Sequence, residues 1–470
     1  MTFPGICTFL ASLEGGENVK KRLITACCVL FWLAVWQVGA MLLGQELLLV
    51  SPVRAVGRLI ELIPTEGFLR SVAFSSGRIL GGFALGLVCG TALALLAGRS
   101  RFVRTLLSPL VAAVKAVPVA SITVLALVWV SSRNLSVLVT FLIALPVVYS
   151  NMLESLDSLD PRLTEMAELY HISGWRRFAG VYLSQLLPGF RSAAKLAIGL
   201  SWKSGAAAEV IGIPSGSIGE KLYEAKVYLE TADLFAWTIA VVILSWLSEK
   251  LFLLLVGAAV KAVSGKNAFR CRNLRAPELT PAELRAERVT KRFGANTALN
   301  GFSADFPAGE ITAVMGESGC GKTTLLRILA GILPADGGEV SGRDARFAAV
   351  FQEDRLCGNL TAAANVRLVC GDYRSDGDIS AAFAAVGLSG CGDRPARELS
   401  GGMKRRVALV RALLAEGGAV LLDEPFKGLD EGTRRQAMEF AREQLLGRTA
   451  VIVTHDRSEA EFLAESVIEL

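Results

Sequence analysis

The chain has 470 residues, of which 52% are hydrophobic and only 20% are charged, and its net charge is +5. Because ordinary soluble domains carry about 25% charged residues, this composition excludes a single water-soluble globule and an intrinsically disordered chain. The small net charge argues against a nucleic-acid-binding protein. At about 100–200 residues per domain, the length predicts two to four domains.

Charge is distributed unevenly along the chain. The first 264 residues contain 38 charged side chains, whereas the last 206 contain 55. We therefore interpret residues 1–263 as a membrane domain, residues 264–284 as a polar linker and residues 285–470 as a soluble domain. The nine cysteines form no C-x-x-C pair, which argues against a zinc site or a redox motif.

The membrane domain contains several apolar segments of the length that a spanning helix needs, about 20 residues. The sequence predicts six spans, at residues 23–44, 76–98, 110–131, 135–153, 192–213 and 234–256. The fifth span carries Lys195, Lys203 and Glu209. Because charges within a span are costly, Lys203 and Glu209 have two open interpretations, a position at the water boundary or a role in translocation.

Lys and Arg side chains cluster on one side of the predicted spans, before the first, after the second, between the fourth and fifth, and after the sixth. This pattern predicts cytoplasmic ends and a soluble domain in the cytosol. In the second span, Gly82, Gly86 and Gly90 recur every four residues, a spacing that lets another helix approach closely. We expect this stripe to pack within the chain, with a dimer contact as the alternative.

The longest polar segment of the membrane domain is the loop at residues 158–190. A helix is predicted to begin at Pro161, with Asp160 as its N-cap, and to break at Gly174. A second helix is predicted to follow and to end at Pro188.

The order of Glu165, Ala167, Gly174 and Pro188 in this loop resembles the cytoplasmic "EAA" loop of binding-protein-dependent importer permeases. That resemblance implies a coupling loop that sits in a groove of an ATPase and transmits its motion. Leu49-Val50-Ser51-Pro52, Ala116-Val117-Pro118 and Ala207-Ala208-Glu209 resemble the nitrate/sulfonate/taurine branch of these permeases.

The soluble domain contains an apolar strand at residues 311–315, followed by a glycine-rich loop and an apolar helix. The loop and the start of the helix read Gly316-Glu317-Ser318-Gly319-Cys320-Gly321-Lys322-Thr323-Thr324. This arrangement predicts a P-loop, whose glycines let backbone N–H groups converge on phosphate oxygens at a helix N-terminus. Lys322 is expected to reach the β- and γ-phosphates of ATP, and the Thr323 hydroxyl is expected to ligate Mg²⁺.

A second apolar strand, at residues 419–422, ends in Asp423 and Glu424. We expect this strand to lie parallel to the P-loop strand and beside it. Asp423 would then hold Mg²⁺, and Glu424 would polarise the water that attacks the γ-phosphate.

Ser400, Gly401 and Gly402 open a helix and offer a second anion site. A second anion site in a chain with one P-loop suggests a nucleotide shared between two chains. The motif resembles the signature motif of ABC-transporter ATPases, which implies that it binds the γ-phosphate of ATP held by the opposite subunit.

The same resemblance implies roles for four more residues. Phe293 stacks on adenine, and Gln352 contacts Mg²⁺ and water and reports to the permease. Asp430 belongs to the D-loop, and His455 senses the γ-phosphate. The stretch from Gln352 to Ser400 is short, which predicts a compact helical subdomain.

Together these features predict a membrane all-α permease of six helices fused to a cytosolic α/β P-loop NTPase domain of ABC type. The resemblance implies ATP-driven uptake of a small solute, such as nitrate, a sulfonate or taurine, across the cytoplasmic membrane. One P-loop and one signature motif imply a homodimer, and such importers need an external solute-binding protein. The alternatives are an exporter half-transporter and a membrane-anchored ATPase without transport.

Overall fold

A computed structural model describes residues 5–45, 47–264, 269, 280–317, 319–342, 346–370 and 373–470, with backbone only for 5–22 and 261–264. The chain divides into two compact units. The first comprises Met1–Glu154 and Phe190–Leu254, and the second comprises Ser155–Gly189 and Leu255–Leu470. The predicted linker at 264–284 lies largely outside the described residues. We name Ser155–Gly189, which belongs to the second unit, the coupling segment.

The helices up to residue 264 belong to the first unit and to the coupling segment, except that the end of α11, from Leu255, belongs to the second unit. In chain order they are α1 (Gly5–Leu43), α2 (Pro52–Leu62), α3 (Glu66–Arg99), α4 (Arg101–Ala116), α5 (Val119–Ala126), α6 (Ser132–Asp157), α7 (Pro161–Leu169), α8 (Gly174–Arg177), a π-helical turn (Phe178–Tyr182), α9 (Leu183–Gly212), α10 (Ile218–Val227) and α11 (Thr231–Ser264). Polar caps begin several of them. The Ser51, Thr65 and Ser217 hydroxyls each accept a backbone N–H in the first turn of the helix that follows.

Four described helices are long and apolar enough to cross a membrane: Leu23–Leu43 of α1, α3, α6 and Thr231–Val260 of α11. Helices α4 and α5 would form a fifth span together, but they meet at a bend of 99°. The span predicted at 110–131 is therefore interrupted, and Val117, the residue before Pro118, has an extended conformation between the two helices. Helix α9 covers nearly all of the predicted span at 192–213, but it is not among the helices that are long and apolar enough to cross a membrane. Six crossings remain a prediction.

The glycine stripe of α3 packs against α6 of the same chain. A Cβ atom added at Gly82, Gly86 or Gly90 would lie 2.4, 2.7 or 2.8 Å, respectively, from an atom of α6. The absence of side chains at these positions therefore brings the two helices into backbone contact. This contact confirms the expectation that the stripe packs within the chain.

Glu209 is fully buried and anchors helix α10. Its Oε2 atom accepts hydrogen bonds from the Ser75 hydroxyl at 2.6 Å and from the Gly219 N–H at 3.4 Å. The Ser75 hydroxyl also accepts the Ile218 N–H at 2.9 Å. Since these N–H groups belong to the first turn of α10, the carboxylate and the hydroxyl cap that helix from its neighbours. Glu209 is thus buried within the first unit, whereas Lys203 is exposed.

The second unit contains two sheets and the remaining helices. Its elements are β1 (Leu284–Phe293), β2 (Asn296–Phe306), β3 (Ile311–Met315), α12 (Lys322–Leu329), β4 (Gly337–Ser341), β5 (Phe347–Val350), α13 (Ala362–Cys370), α14 (Asp376–Ala385), a 3₁₀ turn (Ala396–Glu398), α15 (Gly401–Leu414), β6 (Ala419–Asp423), α16 (Glu431–Leu445), β7 (Thr449–Val453), α17 (Arg457–Leu463) and β8 (Ser466–Glu469). Strands β2, β1 and β4 form an antiparallel sheet. Strands β5, β6, β7, β3 and β8, in that order, form a parallel sheet.

The parallel sheet corrects one expectation. Strand β6, which ends in Asp423, does not lie beside β3, because β7 pairs with both of them. Strands β6 and β7 are buried along their whole length, which requires the continuous apolar sequences they have. Because all five strands run in the same direction, the P-loop, Asp423 and Thr454 still meet at one edge of the sheet.

The helix contact in the first unit predicts a large difference between neighbouring glycines. Gly82→Ala places its Cβ atom 2.4 Å from a backbone oxygen of Val137, so α3 and α6 must separate. We expect the midpoint of thermal unfolding in detergent to fall by several degrees, about 1–3 kcal/mol of destabilisation. Gly81→Ala is the matched control, since nothing lies within 4 Å of its added Cβ atom. Equal melting points for the two variants would contradict the contact.

Candidate active site

The loop between β3 and α12 has the geometry of a phosphate-binding loop. It leaves the carboxyl end of β3 after Met315 and enters α12 at Lys322. Gly321 has a φ of +104°, and a Cβ atom there would lie 2.2 Å from the carbonyl oxygen of Ala298. Only glycine fits this position. The loop conformation that this glycine allows places the N-terminus of α12 at the sheet edge. Ser318 lies outside the described residues, and Glu317, Cys320 and Thr324 take their expected places in the loop and in the first turn of α12.

The Lys322 side chain is folded back over the loop. Its Nζ atom donates hydrogen bonds to the carbonyl oxygens of Gly316, at 2.7 Å, and Glu317, at 2.6 Å. The side chain is almost fully buried, so the ammonium group is held at the centre of the loop. A positive charge surrounded by converging N–H groups suits a polyphosphate.

Thr323 and Asp423, the two expected metal ligands, are neighbours in the structure. The Thr323 hydroxyl donates a hydrogen bond to the Asp423 carboxylate, which is buried at the end of β6. Burial raises the pKa of Asp423 above its ordinary value, against the opposing effect of that hydrogen bond. A hydroxyl and a carboxylate held together at the end of a parallel strand form a donor set that suits Mg²⁺.

Glu424 follows directly and has an unusual backbone conformation, with a φ of +46°. Its two carboxylate oxygens lie 2.5 Å from Lys427 Nζ and 3.4 Å from His455 Nδ1. Partial burial would raise the pKa of Glu424, but the bonds from Lys427 and His455 outweigh it and lower the pKa below the ordinary value. Glu424 is therefore ionised and can accept a proton from water. Sequence reasoning missed Lys427.

Gln352 lines a cavity together with residues of the P-loop helix and of β6. This cavity measures about 140 Å³, and Thr323, Gln352 and Asp423 all line it. Arg162 of α7 lines the same cavity, and its guanidinium lies 3.5 Å from the Glu353 carboxylate. The structure therefore brings together three predicted nucleotide-site residues and one residue of the coupling segment.

The other predicted site residues take different positions. Ser400 caps α15, where its hydroxyl accepts the Met403 N–H, and Gly401 and Gly402 form the first turn. None of these three residues lines the cavity around Gln352. Asp430 caps α16, and its hydrogen bond with the Thr433 N–H lowers its pKa. Phe293 at the end of β1 and His455 after β7 are exposed, so each offers a free face to a ligand.

Arg405 is a second residue that sequence reasoning missed. Its buried guanidinium donates to the carbonyl oxygens of Phe351, at 2.5 Å, and Gln352, at 3.3 Å. It also donates to the carbonyl oxygens of Asp423 and Glu424, at 2.5 and 2.6 Å. One side chain of helix α15 thus holds the segment of Gln352 and the end of β6 in place. Its position three residues after Gly402 gave no signal of this role.

Within the coupling segment, Glu165 contacts the helix that follows the P-loop. Its Oε2 atom lies 2.9 Å from Arg327 of α12 and 3.0 Å from the buried Arg355. Ala167 is fully buried on the same helix, α7. A carboxylate shared between two guanidinium groups therefore ties α7 to both the P-loop helix and the residues that follow Gln352.

One expectation about the coupling segment agrees with the structure and one needs correction. Helix α7 ends at Leu169, and the predicted break at Gly174 is present, since both His171 and Gly174 have a left-handed φ, +51° and +56°. Pro188 does not end a helix but lies inside α9. Because proline has no N–H, the Ser184 carbonyl lacks its usual helical donor, and the Asn359 side-chain amide donates to it instead.

Residues 299–427 match the family model described as ABC transporter. Residues 82–265 match the family model described as binding-protein-dependent transport system inner membrane component. The two matches cover most of the soluble domain and most of the predicted membrane domain, in one chain.

Curated relatives match about two fifths of this chain at moderate identity. An aliphatic sulfonates import ATP-binding protein of Rhizobium johnstonii is 44% identical over 204 residues, which is 40% of this chain and 74% of that protein. A sulfate/thiosulfate import ATP-binding protein of Chromobacterium violaceum is 38% identical over 206 residues, 39% of this chain and 58% of that protein. A solved dimeric bacterial ABC transporter cassette is 29% identical, covers 40% of this chain and 94% of its own, and has a TM-score of 0.37.

The contact between Glu424 and Lys427 predicts a change in pH dependence. Lys427→Ala removes an interaction that lowers the pKa of Glu424, so this pKa should rise. Because the ionised carboxylate is the active form, the acid limb of the pH profile of ATP hydrolysis should move to higher pH. Arg435→Ala is the control, since Arg435 pairs with Glu439 on the exposed face of α16. An acid limb that stays at the wild-type pH in Lys427→Ala would contradict this assignment.

Proposed function

We propose that this chain, which belongs to the ABC transporter family and joins a permease and an ATPase in one polypeptide, is one half of an ATP-driven importer of a small solute. It is an integral membrane protein with a cytosolic ATPase. In the proposed importer, two copies pair in the cytoplasmic membrane and receive solute from an external solute-binding protein.

The observation that carries this proposal is the double contact of Glu165 with Arg327 and Arg355. The carboxylate belongs to a segment between two permease helices, whereas the two guanidinium groups belong to the ATPase. A membrane anchor for a non-transporting ATPase has no need of such a contact. The match of residues 82–265 to a binding-protein-dependent permease component further favours an importer over an exporter.

ATP hydrolysis in this proposal uses the residues at the carboxyl edge of the parallel sheet. The loop N–H groups and Lys322 bind the β- and γ-phosphates, and Phe293 offers a ring face to adenine. Glu424 accepts a proton from the attacking water, and His455, 3.4 Å from Glu424, orients that carboxylate beside the γ-phosphate.

Mg²⁺ fits the donor set formed by Thr323 and Asp423, with Gln352 at the same cavity. When bound, the ion neutralises charge on the β- and γ-phosphates. The hydrogen bond between Thr323 and Asp423 holds these two ligands together, and Arg405 fixes the carbonyl groups of Asp423 and Gln352.

The position of the signature motif supports pairing of two chains. Ser400, Gly401 and Gly402 open α15 away from the cavity that Thr323 and Gln352 line. Their N–H groups and the N-terminus of α15 form an anion site, which we assign to the γ-phosphate bound by the P-loop of a second copy. Two such copies would form two shared ATP sites.

A small oxyanion or organic solute is the proposed cargo. The curated relatives are named as ATP-binding proteins for the import of aliphatic sulfonates and of sulfate or thiosulfate. The resemblance to the nitrate/sulfonate/taurine branch extends the candidates to nitrate and taurine. Choice among them rests with the solute-binding protein, which can be identified by co-purification with the chain.

Glu424→Gln tests the catalytic assignment. The amide cannot accept a proton from water, so ATP hydrolysis should fall by at least 100-fold while the Kd for ATP stays within about twofold. Hydrolysis measured by phosphate release, and binding measured with a fluorescent ATP analogue, check the two parts. Hydrolysis at the wild-type rate would remove Glu424 from the mechanism.

Glu165→Lys tests the coupling role. The new ammonium group faces Arg327 and Arg355, so like charges should separate α7 from the ATPase. In proteoliposomes with the co-purified binding protein, we expect ATP hydrolysis to continue and solute uptake to fall about tenfold or more.

Glu168→Lys is the matched control, because Glu168 lies on the same helix and pairs only with Arg177 of the same segment among its described contacts. Its uptake should remain within about twofold of wild type, the range of an exposed ion pair. Equal uptake by Glu165→Lys and wild type would contradict the coupling role.

A further inference from the structure

Tyr170 places its hydroxyl on the backbone of the ATPase sheet. The residue directly follows α7, and its hydroxyl donates to the Ala349 carbonyl oxygen at 2.8 Å. The Tyr170 hydroxyl oxygen also accepts a hydrogen bond from the Ala349 N–H at 3.1 Å. One side chain of the coupling segment therefore satisfies both backbone polar groups of one residue in β5.

These two backbone groups need a partner from outside the sheet. Strand β5 is at the edge of the five-stranded sheet and pairs with β6 on one side. The N–H and C=O groups on the free side of an edge strand are unpaired, and burying them without partners is costly. The Tyr170 hydroxyl is both a donor and an acceptor, so it can satisfy the two groups at once.

The position of Ala349 gives this contact a role beyond capping. Gln352 follows Ala349 by three residues, and Arg355 follows Gln352 by three. Tyr170 holds the first of these positions, and Glu165 holds the third through the Arg355 guanidinium. The segment that carries Gln352 is thus attached at both ends to α7 and the residue that follows it.

A buried arginine contacts both Tyr170 and the backbone that follows Gln352. Arg411 lies 5.8 Å from the centre of the Tyr170 ring and donates to the carbonyl oxygens of Asp354 and Arg355. Because Arg411 is almost fully buried, Tyr170 and the backbone of Asp354 and Arg355 all contact one closely packed side chain. A shift of Tyr170 therefore cannot leave the backbone around Gln352 unchanged.

We propose that Tyr170 is a positioning residue for coupling, and that its hydroxyl transmits nucleotide-dependent movement between Gln352 and the coupling segment through strand β5. This inference rests on the proposed transport function. It adds a second contact point to that of Glu165, at the opposite end of the Gln352 segment. A purely structural cap would stabilise β5 without changing how the coupling segment responds to ATP.

Tyr170→Phe is the direct test, because it retains the ring and removes only the hydroxyl. The full chain, in the Glu424→Gln background so that ATP persists, is placed in lipid nanodiscs. Hydrogen exchange of residues 161–182 and of the Ala349 amide is measured with and without Mg²⁺-ATP. We expect the Ala349 amide to exchange about tenfold faster in Tyr170→Phe, since its acceptor is lost.

The response to ATP separates coupling from capping. In the parent, ATP should change exchange in residues 161–182, and in Tyr170→Phe this change should fall to about one tenth while the Kd for ATP stays within twofold. Tyr182→Phe removes a hydroxyl of the same segment next to Arg177 and should behave like the parent. An ATP response in Tyr170→Phe equal to that of the parent would overturn the inference.

Failure of the proposed function has a different signature. If residues 161–182 of the parent do not respond to ATP at all, the transport coupling itself is contradicted, and the role of Tyr170 with it. If Tyr182→Phe loses the ATP response as fully as Tyr170→Phe, the effect is a general softening of the segment, which also overturns the role of Tyr170.

Discussion

The common direction of five parallel strands is the constraint on which this site depends. Strands β3, β6 and β7 end at the same edge of the sheet, so the P-loop, Asp423, Glu424 and His455 meet there although they are up to 139 positions apart. Burial of the strands fixes their register, since sliding one strand by a residue would turn its apolar side chains out of their packing. The chemistry at the edge is therefore a consequence of the packing below it.

The coupling segment contacts the ATPase at three places. Glu165 contributes an ion pair shared by Arg327 and Arg355, Tyr170 contributes hydrogen bonds to β5, and the Ser184 carbonyl receives the Asn359 amide. At each place, the contacted ATPase residues lie either in the helix that follows the P-loop or near Gln352 in the sequence. In the proposed transport cycle, a change in nucleotide state that moves Gln352 would reach α7 through these contacts.

Local sequence predicted the parts of the site that depend on short motifs. The P-loop, the carboxylates after β6 and the cap at Ser400 need particular residues at fixed spacing, so their positions could be read directly. Strand order could not, because β6 and β7 are equally apolar and either could lie beside β3. Arg405 and Tyr170 were missed because each acts through contacts with distant backbone, which leave no pattern in the sequence. Lys427 was missed although it lies only three residues after Glu424, whose carboxylate it contacts. Likewise, Pro188 predicts a helix end, but α9 continues through it, and Asn359 donates to the carbonyl that the proline leaves without a helical donor.

In the proposed function, ATP hydrolysis at the sheet edge drives a solute across the membrane. This transport is tested by the uptake of ³⁵S-labelled taurine, alkanesulfonate and sulfate into proteoliposomes holding the chain, with the co-purified binding protein outside and ATP available to the ATPase. We expect ATP-dependent accumulation of one of these solutes above its external concentration, at a fixed ratio of solute moved to ATP consumed. Hydrolysis that proceeds at full rate with no solute accumulated, or accumulation that continues without ATP, would contradict it.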